Sequence, residues 1–255
     1  MIVWSLVVTV ALYAWGVWRA QRARRPIGIA PLVAFTLGIV TLAGALIGPM
    51  DELSDASLSW HMLQHMALID VVAPLLLLAA PVRLALAALP PRPAHRLARA
   101  FASAPLRWAF SPAFAWLQLG AVLYGVHFSP LYEAALENEG VHAAEHVLFI
   151  ASGIVFWTPL LAVAPAPHAP SYPVRILSIF LALPMSAFLG FAFYVARHTI
   201  YPHYAKLPGA LADQMNAGAV MWIAGGAPLF VALLWLVAEW GARERRYGAV
   251  FDGTS

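Results

Sequence analysis

The sequence predicts an all-α polytopic membrane protein with seven transmembrane helices, an external N-terminus and a cytoplasmic C-terminus. Hydrophobic residues make up 62% of the 255 residues and charged residues only 11%, whereas soluble domains carry about 25% charged residues. The apolar residues recur in blocks of about 20, the length of helix that crosses the hydrocarbon core of a bilayer. Arginine and lysine gather in alternate loops between the blocks, which is typical of cytoplasmic loops.

Seven spans are predicted from these blocks. They cover residues 2–18, 29–48, 59–81, 108–127, 142–162, 174–195 and 214–238. Because the connections are short, residues 1–255 are expected to form one transmembrane domain with a short cytoplasmic tail from about residue 241. The first span is expected to be a retained helix, since its arginines follow it. Pro74 and Pro81 predict kinks in the third span.

The orientation follows from the distribution of charge. Thirteen of the fifteen Lys and Arg residues lie in the loops after spans 1 and 3, in the loop before span 6 and in the tail. The loops on the other side are acidic and contain Asp51, Glu52, Asp55, Glu133, Glu137, Glu139 and Asp213. The arginine-rich side is therefore expected to be cytoplasmic. The net charge of +3 then reflects topology and the lipid bilayer, so no nucleic acid is expected as a partner.

Two matched histidine pairs begin two of the spans. They are His61 and His65 in the string HMLQH, and His142 and His146 in the string HAAEH. A spacing of four residues puts both imidazoles of a pair on one helix face, about one turn apart. Both spans are predicted to run inward, so the pairs lie at the same depth. Imidazole is the commonest metal ligand in proteins, and the sequence therefore predicts a metal or haem site facing the periplasm or exterior.

Several other residues at this level are candidates for a supporting role. His127 ends the fourth span and is a candidate fifth ligand, while Met62 and Met66 would add the soft ligands that suit monovalent copper. Glu145 is either an acid favoured in the first turn of its helix or an acceptor that orients an imidazole on another helix. His198 is expected to be an ordinary surface histidine.

The seventh span begins with the string LADQMNAGAVMW. Asp213 is expected to be an N-cap of this helix or, with Gln214 and Met221, a secondary residue of the metal site. Gln214, Gly218 and Met221 share one helix face, and Gly218 would let another helix approach closely. Cysteine is absent, which excludes both a disulfide framework and a thiolate metal site.

Taken together, the ordered strings resemble the CtaG-like family of caa(3)-type cytochrome c oxidase assembly factors over about residues 55–240. The strings are HMLQH followed by LLLLAAPVRLALAALP, then HAAEHVLFIASGIVFWTPL, SYPVRILSIFLALPMSAFLGF, TIYPHYA and LADQMNAGAVMW. The family's histidine motifs map onto His61, His65, His142 and His146. Its span-7 elements map onto Asp213, Gln214, Met221 and Trp222.

The resemblance implies a bacterial, multi-pass protein of the cytoplasmic (inner) membrane that is needed to form a functional haem-copper oxidase. It implies a copper-binding assembly factor that is not an enzyme. Its cofactor would be Cu(I) or Cu(II), with the number of ions left open. The expected partners are the catalytic subunit of the oxidase and a periplasmic or extracellular copper donor.

Two alternatives remain at this stage. A bis-His haem-binding membrane cytochrome would also take histidines from adjacent helices, although a haem would use one histidine per helix rather than two. A copper transporter would need polar residues that continue to the inner face, and only Asp70 lies deeper in the third span. Purified protein carrying stoichiometric haem would favour the first alternative, and copper uptake into proteoliposomes would favour the second.

Overall fold

The structure is a computed structural model that describes residues 2–163 and 169–252, with side chains described as far as residue 246. The chain is 85% helical, and the described residues contain no β-strand, so the all-α class is confirmed. The helices in chain order are α1 Ile2–Arg22, α2 Ile29–Leu46, α3 Pro49–Ala56, α4 Leu58–Ala67, α5 Ala73–Leu78, α6 Pro81–Ala88, α7 Pro91–Phe101, α8 Ala104–Ala109, α9 Pro112–His127, α10 Pro130–Glu137, α11 Glu139–Leu161, α12 Tyr172–Val195, α13 Pro202–Ala205 and α14 Ala210–Asp252.

Six stretches of the described residues are long and apolar enough to cross a bilayer. They are Ile2–Arg22, Ile29–Ala56, Leu58–Ala88, Glu139–Leu161, Tyr172–Val195 and Ala210–Arg246. These stretches correspond to predicted spans 1, 2, 3, 5, 6 and 7. These six candidate spans indicate a membrane protein. Helix α14 continues past the expected start of the tail at residue 241.

The fourth predicted span, 108–127, differs from the others because it is divided between α8 and α9. Ser111 accepts a hydrogen bond from the Phe114 amide and Pro112 follows at the first helical position, so a new helix starts there. The 16 residues of α9 extend about 24 Å at 1.5 Å per residue, less than the ~30 Å core of a bilayer. The seventh span and the orientation of the termini therefore stay predictions.

The third span is interrupted where the sequence predicts a kink. A π-helical turn, Leu68–Val72, separates α4 from α5. Pro74 follows this turn and has no amide proton, so it cannot pair with the carbonyl of Ile69 one π-turn earlier. The indole nitrogen of Trp157, on α11, donates to that carbonyl instead, at 3.1 Å. The kink thus becomes a contact point between the two helices that carry the histidine pairs.

Glycines set the closest approaches between the spans. A Cβ atom on Gly153 of α11 would lie 2.8 Å from both the Ile69 carbonyl oxygen and the Ala73 Cβ. Gly190 of α12 and Gly218 of α14 lie against each other's carbonyl oxygens in the same way, as the sequence predicts for Gly218. Such small residues let helix backbones approach within a membrane.

The apolar core lies between α4, α9, α11, α12 and α14. Its largest fully buried side chains include Phe149, Phe156, Trp157 and Phe193. In contrast, α1 exposes most of its surface and packs mainly on α6. The two helices that begin with histidine pairs, α4 and α11, are therefore both held in the core of the bundle.

Candidate metal centre

The four predicted histidines lie together at one end of α4 and α11. One ring nitrogen from each of His61, His65, His142 and His146 lies within 4.8 Å of the corresponding atoms of the other three. The ring centroids of His61 and His142 are 5.0 Å apart, and those of His65 and His146 are 5.6 Å apart. The pairs therefore face each other across the interface between the two helices, and we call these residues the four-His cluster. It could hold a metal ion.

The start of α4 is positioned by a carboxylate from another helix. The oxygens of Asp213 accept hydrogen bonds from the Leu58 amide at 2.6 Å and from the Ser57 and Ser59 hydroxyls at 2.9 and 2.6 Å. Since α14 begins at Ala210, the expectation that Asp213 caps its own helix is wrong. It caps α4, and it does so one turn before the first histidine pair.

The start of α11 is positioned locally by a side-chain cap. The side-chain oxygen of Asn138 accepts hydrogen bonds from the amides of Gly140 and Val141 at 2.9 and 3.1 Å. Such a cap satisfies amides that have no partner within the helix. Helix α11 thus begins one turn before His142, and both histidines of its pair lie in regular α-helix.

The Nε2 atoms of the cluster lack hydrogen-bond partners. Within the described residues, the Nε2 atoms of His61, His65, His142 and His146 are buried and unpartnered. Three of these side chains are at most 5% exposed, and His142 is half-buried. A buried polar atom without a partner costs about 1–3 kcal/mol, and almost all such atoms in proteins are paired. Coordination of a metal ion would satisfy all four nitrogens at once.

A tyrosine holds the first histidine of α4 in place. The Tyr204 hydroxyl lies 2.8 Å from His61 Nδ1 and donates to the Ser54 carbonyl at 2.7 Å. Burial raises the pKa of the Tyr204 hydroxyl, so the group stays protonated and can donate. Sequence reasoning did not select this residue, although it lies in the string TIYPHYA that carries part of the family resemblance.

Two aromatic side chains form a wall beside the cluster. The Tyr132 ring centroid lies 5.3 Å from that of His61 and 6.0 Å from that of His65. Phe149 lies 4.5 Å from His65, measured between ring centroids. Both aromatic side chains are fully buried. Neither was predicted to belong to the site, because Phe149 lies in an apolar run and Tyr132 in a loop, and a single aromatic residue in either place carries no signal for a site.

His127 and Glu145 lie beside the cluster. His127 is buried and its Nδ1 lies 2.7 Å from the Leu123 carbonyl oxygen, but its ring centroid is 6.1 Å from that of His65. Glu145 is 2% exposed, and one of its oxygens lies 3.8 Å from His65 Nε2. Because α11 begins at Glu139, Glu145 is beyond the first turn of its helix. It faces an imidazole on another helix, but neither of its oxygens makes a hydrogen bond, so its role as an orienting acceptor stays a prediction.

The remaining candidates have structural contacts. Gln214 accepts from the Ile200 amide at 2.7 Å and donates to the His198 carbonyl at 3.1 Å, so it holds the connection between α12 and α14. The predicted secondary ligands Met62, Met66 and Met221 are all buried in the apolar core. The His198 side chain is exposed, as expected of a surface histidine.

Comparison with known proteins identifies the family. A family model described as cytochrome c oxidase caa3 assembly factor matches residues 11–243. The chain belongs to this family. The matched segment includes both histidine pairs, Asp213 and Tyr204, so the whole candidate site lies within it.

Relatives of this chain occur in mycobacteria. An uncharacterized protein of Mycobacterium leprae is 27% identical over 247 residues, which are 92% of this chain and 38% of the relative. An uncharacterized protein of Mycobacterium bovis is 26% identical over 253 residues, or 94% of this chain and 38% of the relative. The chain thus spans about two fifths of the length of these relatives. No solved structure matches the chain.

Proposed function

We propose that this protein binds copper at the four-His cluster and delivers it to the catalytic subunit of a haem-copper cytochrome c oxidase. In this role it acts as a non-catalytic assembly factor in a bacterial cytoplasmic membrane, with the cluster facing the periplasm or exterior. Membership of the caa3 assembly factor family supports the oxidase as the target. Two observations carry the metal assignment: one ring nitrogen of each histidine lies within 4.8 Å of those of the other three, and all four Nε2 atoms are buried without a partner.

The donor set suits copper. Nitrogen sites bind Cu²⁺ more tightly than the other divalent first-row metals, and imidazole is a good copper ligand. Around one ion with bonds of ~2.1 Å, tetrahedral nitrogens lie about 3.4 Å apart. The nitrogens of the cluster lie within 4.8 Å, so side-chain rotations that draw each imidazole inward by less than about 1 Å would close the site on one ion.

One ligand offers a route for the ion to enter and leave. His142 is half-buried, whereas the other three ligands are buried. The carboxylates of Asp51 and Asp55 interact electrostatically with His142. Acidic groups raise the local concentration of cations. We therefore place copper exchange with the donor and the oxidase at His142.

The alternatives gain no support from the packing. The rings of the cluster are packed 4.2–5.6 Å apart between centroids. A porphyrin held by one histidine of each pair would collide with the other histidine one turn away. Beyond the cluster, α11 continues into the fully buried Phe149, Phe156 and Trp157, which give a travelling copper ion no ligands.

The function can be tested in a bacterium whose own copy of the gene is deleted. We expect the wild-type protein to restore oxidase activity, and the double variant His61→Ala, His142→Ala to yield oxidase that contains haem but lacks copper and activity. His198→Ala is the matched control, because it removes an exposed histidine outside the cluster. Full oxidase activity with the double variant would contradict the proposal.

A further inference from the structure

The Tyr204 hydroxyl stands between a proposed metal ligand and a backbone carbonyl. It lies 2.8 Å from His61 Nδ1 and 2.7 Å from the Ser54 carbonyl oxygen. All three residues are at most 3% exposed. The three groups come from three elements, α3, α4 and α13, so the arrangement exists only in the folded protein.

The direction of both hydrogen bonds follows from counting protons. A carbonyl oxygen can only accept, so the single hydroxyl proton of Tyr204 goes to Ser54. The Tyr204 oxygen is then an acceptor toward His61, and His61 must donate from Nδ1–H. In a neutral imidazole the other nitrogen carries a lone pair. The lone pair of His61 is therefore on Nε2, the atom that is buried without a partner.

From this arrangement we infer that Tyr204 is a positioning residue for the metal centre. It holds His61 in the Nδ1–H tautomer and presents the Nε2 lone pair to the ion. The part of this inference that concerns affinity rests on the proposed copper function, whereas the tautomer does not. Partners of this kind orient the ring and raise the basicity of the ligand nitrogen.

The segment that carries Tyr204 is itself held from two sides. Gln214 pairs with the Ile200 amide, and Glu133 accepts from the His203 amide at 2.9 Å. These contacts lie before and beside Tyr204 in the connection between α12 and α14. The hydroxyl is thus placed by contacts that are independent of His61, which is what a positioning role requires.

A second buried tyrosine, Tyr201, provides a matched control for Tyr204→Phe. Tyr201 is also buried, at 4% exposed, and its hydroxyl donates to the His127 carbonyl at 2.9 Å. Tyr201→Phe therefore removes one buried hydroxyl and one hydrogen bond to a carbonyl, as Tyr204→Phe does. It leaves His61 Nδ1 untouched, so a change in the His61 tautomer that is specific to Tyr204→Phe reports on the hydrogen bond between Tyr204 and His61.

The test uses full-length protein, ¹⁵N-labelled at histidine and free of metal, because ¹⁵N shifts and two-bond couplings distinguish the imidazole tautomers. We expect His61, assigned by loss of its signal in His61→Ala, to be a single Nδ1–H tautomer in the wild type and in Tyr201→Phe. In Tyr204→Phe we expect a mixture of tautomers. Copper affinity, measured by competition with a chelator, should fall about 10–100-fold in Tyr204→Phe and much less in Tyr201→Phe.

Two results would overturn the inference. One is a wild-type His61 that is protonated at Nε2 or exchanges between tautomers. The other is a Tyr204→Phe variant that keeps both the Nδ1–H tautomer and the wild-type copper affinity. If Tyr204→Phe does not fold, the inference is tested by the tautomer of His61 in the wild-type spectrum alone. Protein that shows the Nδ1–H tautomer but binds no copper would contradict the proposed function and leave the tautomer assignment standing.

Discussion

Replacing Gly153 by alanine should disturb the contact that sets the spacing between the two helices that carry the histidine pairs. The new Cβ would lie 2.8 Å from the Ile69 carbonyl oxygen and 2.8 Å from the Ala73 Cβ. Ordinary contacts between such atoms begin near 3.4 Å, so α11 must move away from the π-helical turn by about 0.6 Å or more. One of the two obstacles is backbone, which cannot rotate aside as a side chain can.

The expected cost follows from overpacking, which typically destabilises by about 1–3 kcal/mol. A glycine-to-alanine change inside a helix also stabilises by up to about 1 kcal/mol through backbone entropy. Gly226→Ala is the matched control, because a Cβ on that helical residue meets nothing within 4 Å. The entropy gain is common to both variants, so Gly153→Ala should be less stable than Gly226→Ala by about 1–3 kcal/mol.

The assay is unfolding in mixed detergent micelles with an increasing fraction of a denaturing detergent, followed by circular dichroism. The same preparations should show weaker copper binding for Gly153→Ala, because the displaced helix carries His142 and His146 while His61 and His65 stay on α4. A metal site tolerates displacements of only about 0.5 Å. Equal unfolding midpoints for Gly153→Ala and Gly226→Ala would refute this account of the interface.

Three further predictions concern residues around the site. Asp213→Asn should lower the free energy of unfolding by about 1 kcal/mol, because the N-terminus of α4 loses a charged cap; an unchanged unfolding midpoint in the detergent assay would contradict this. Trp157→Phe should cost about 1–3 kcal/mol in the same assay, since the Ile69 carbonyl loses its donor, and a variant as stable as the wild type would argue against that hydrogen bond. His127→Ala should leave the copper content of the purified protein unchanged, whereas a loss of metal would make His127 a required ligand.

The four-His cluster could be predicted because it depends on local spacing. A separation of four residues places His61 above His65 on any helix, and the span boundaries put the second pair at the same depth. Neither step needs knowledge of how the helices pack. The close approach at Gly218 was predictable for a similar reason, since a glycine on the face of a membrane helix invites a neighbour.

The surroundings of the cluster could not be predicted because they depend on contacts far apart in sequence. Tyr204 reaches His61 across 143 positions, and Asp213 reaches Leu58 across 155. The sequence showed an acid near a helix start, which favours a cap of the same helix. Only the packing of α14 on α4 reveals that the carboxylate caps the neighbouring helix instead.

The division of the fourth predicted span has a local cause that does not appear in a hydropathy profile. Ser111 and Pro112 are a helix-start signal within an apolar stretch, and a hydropathy window averages across them. The π-helical turn before Pro74 also has a local cause, of which the sequence shows only one part. The proline predicts a kink, but its partner Trp157 lies on another helix and is visible only in the folded chain.

The metal content of the purified protein tests the central claim most directly. Protein purified from copper-supplied cells should contain copper, measured by mass spectrometry of the metals, in excess over zinc, iron and haem. The double variant His61→Ala, His142→Ala should contain none, and His198→Ala should match the wild type. Wild-type protein without copper, or a double variant that retains it, would contradict copper binding at the four-His cluster.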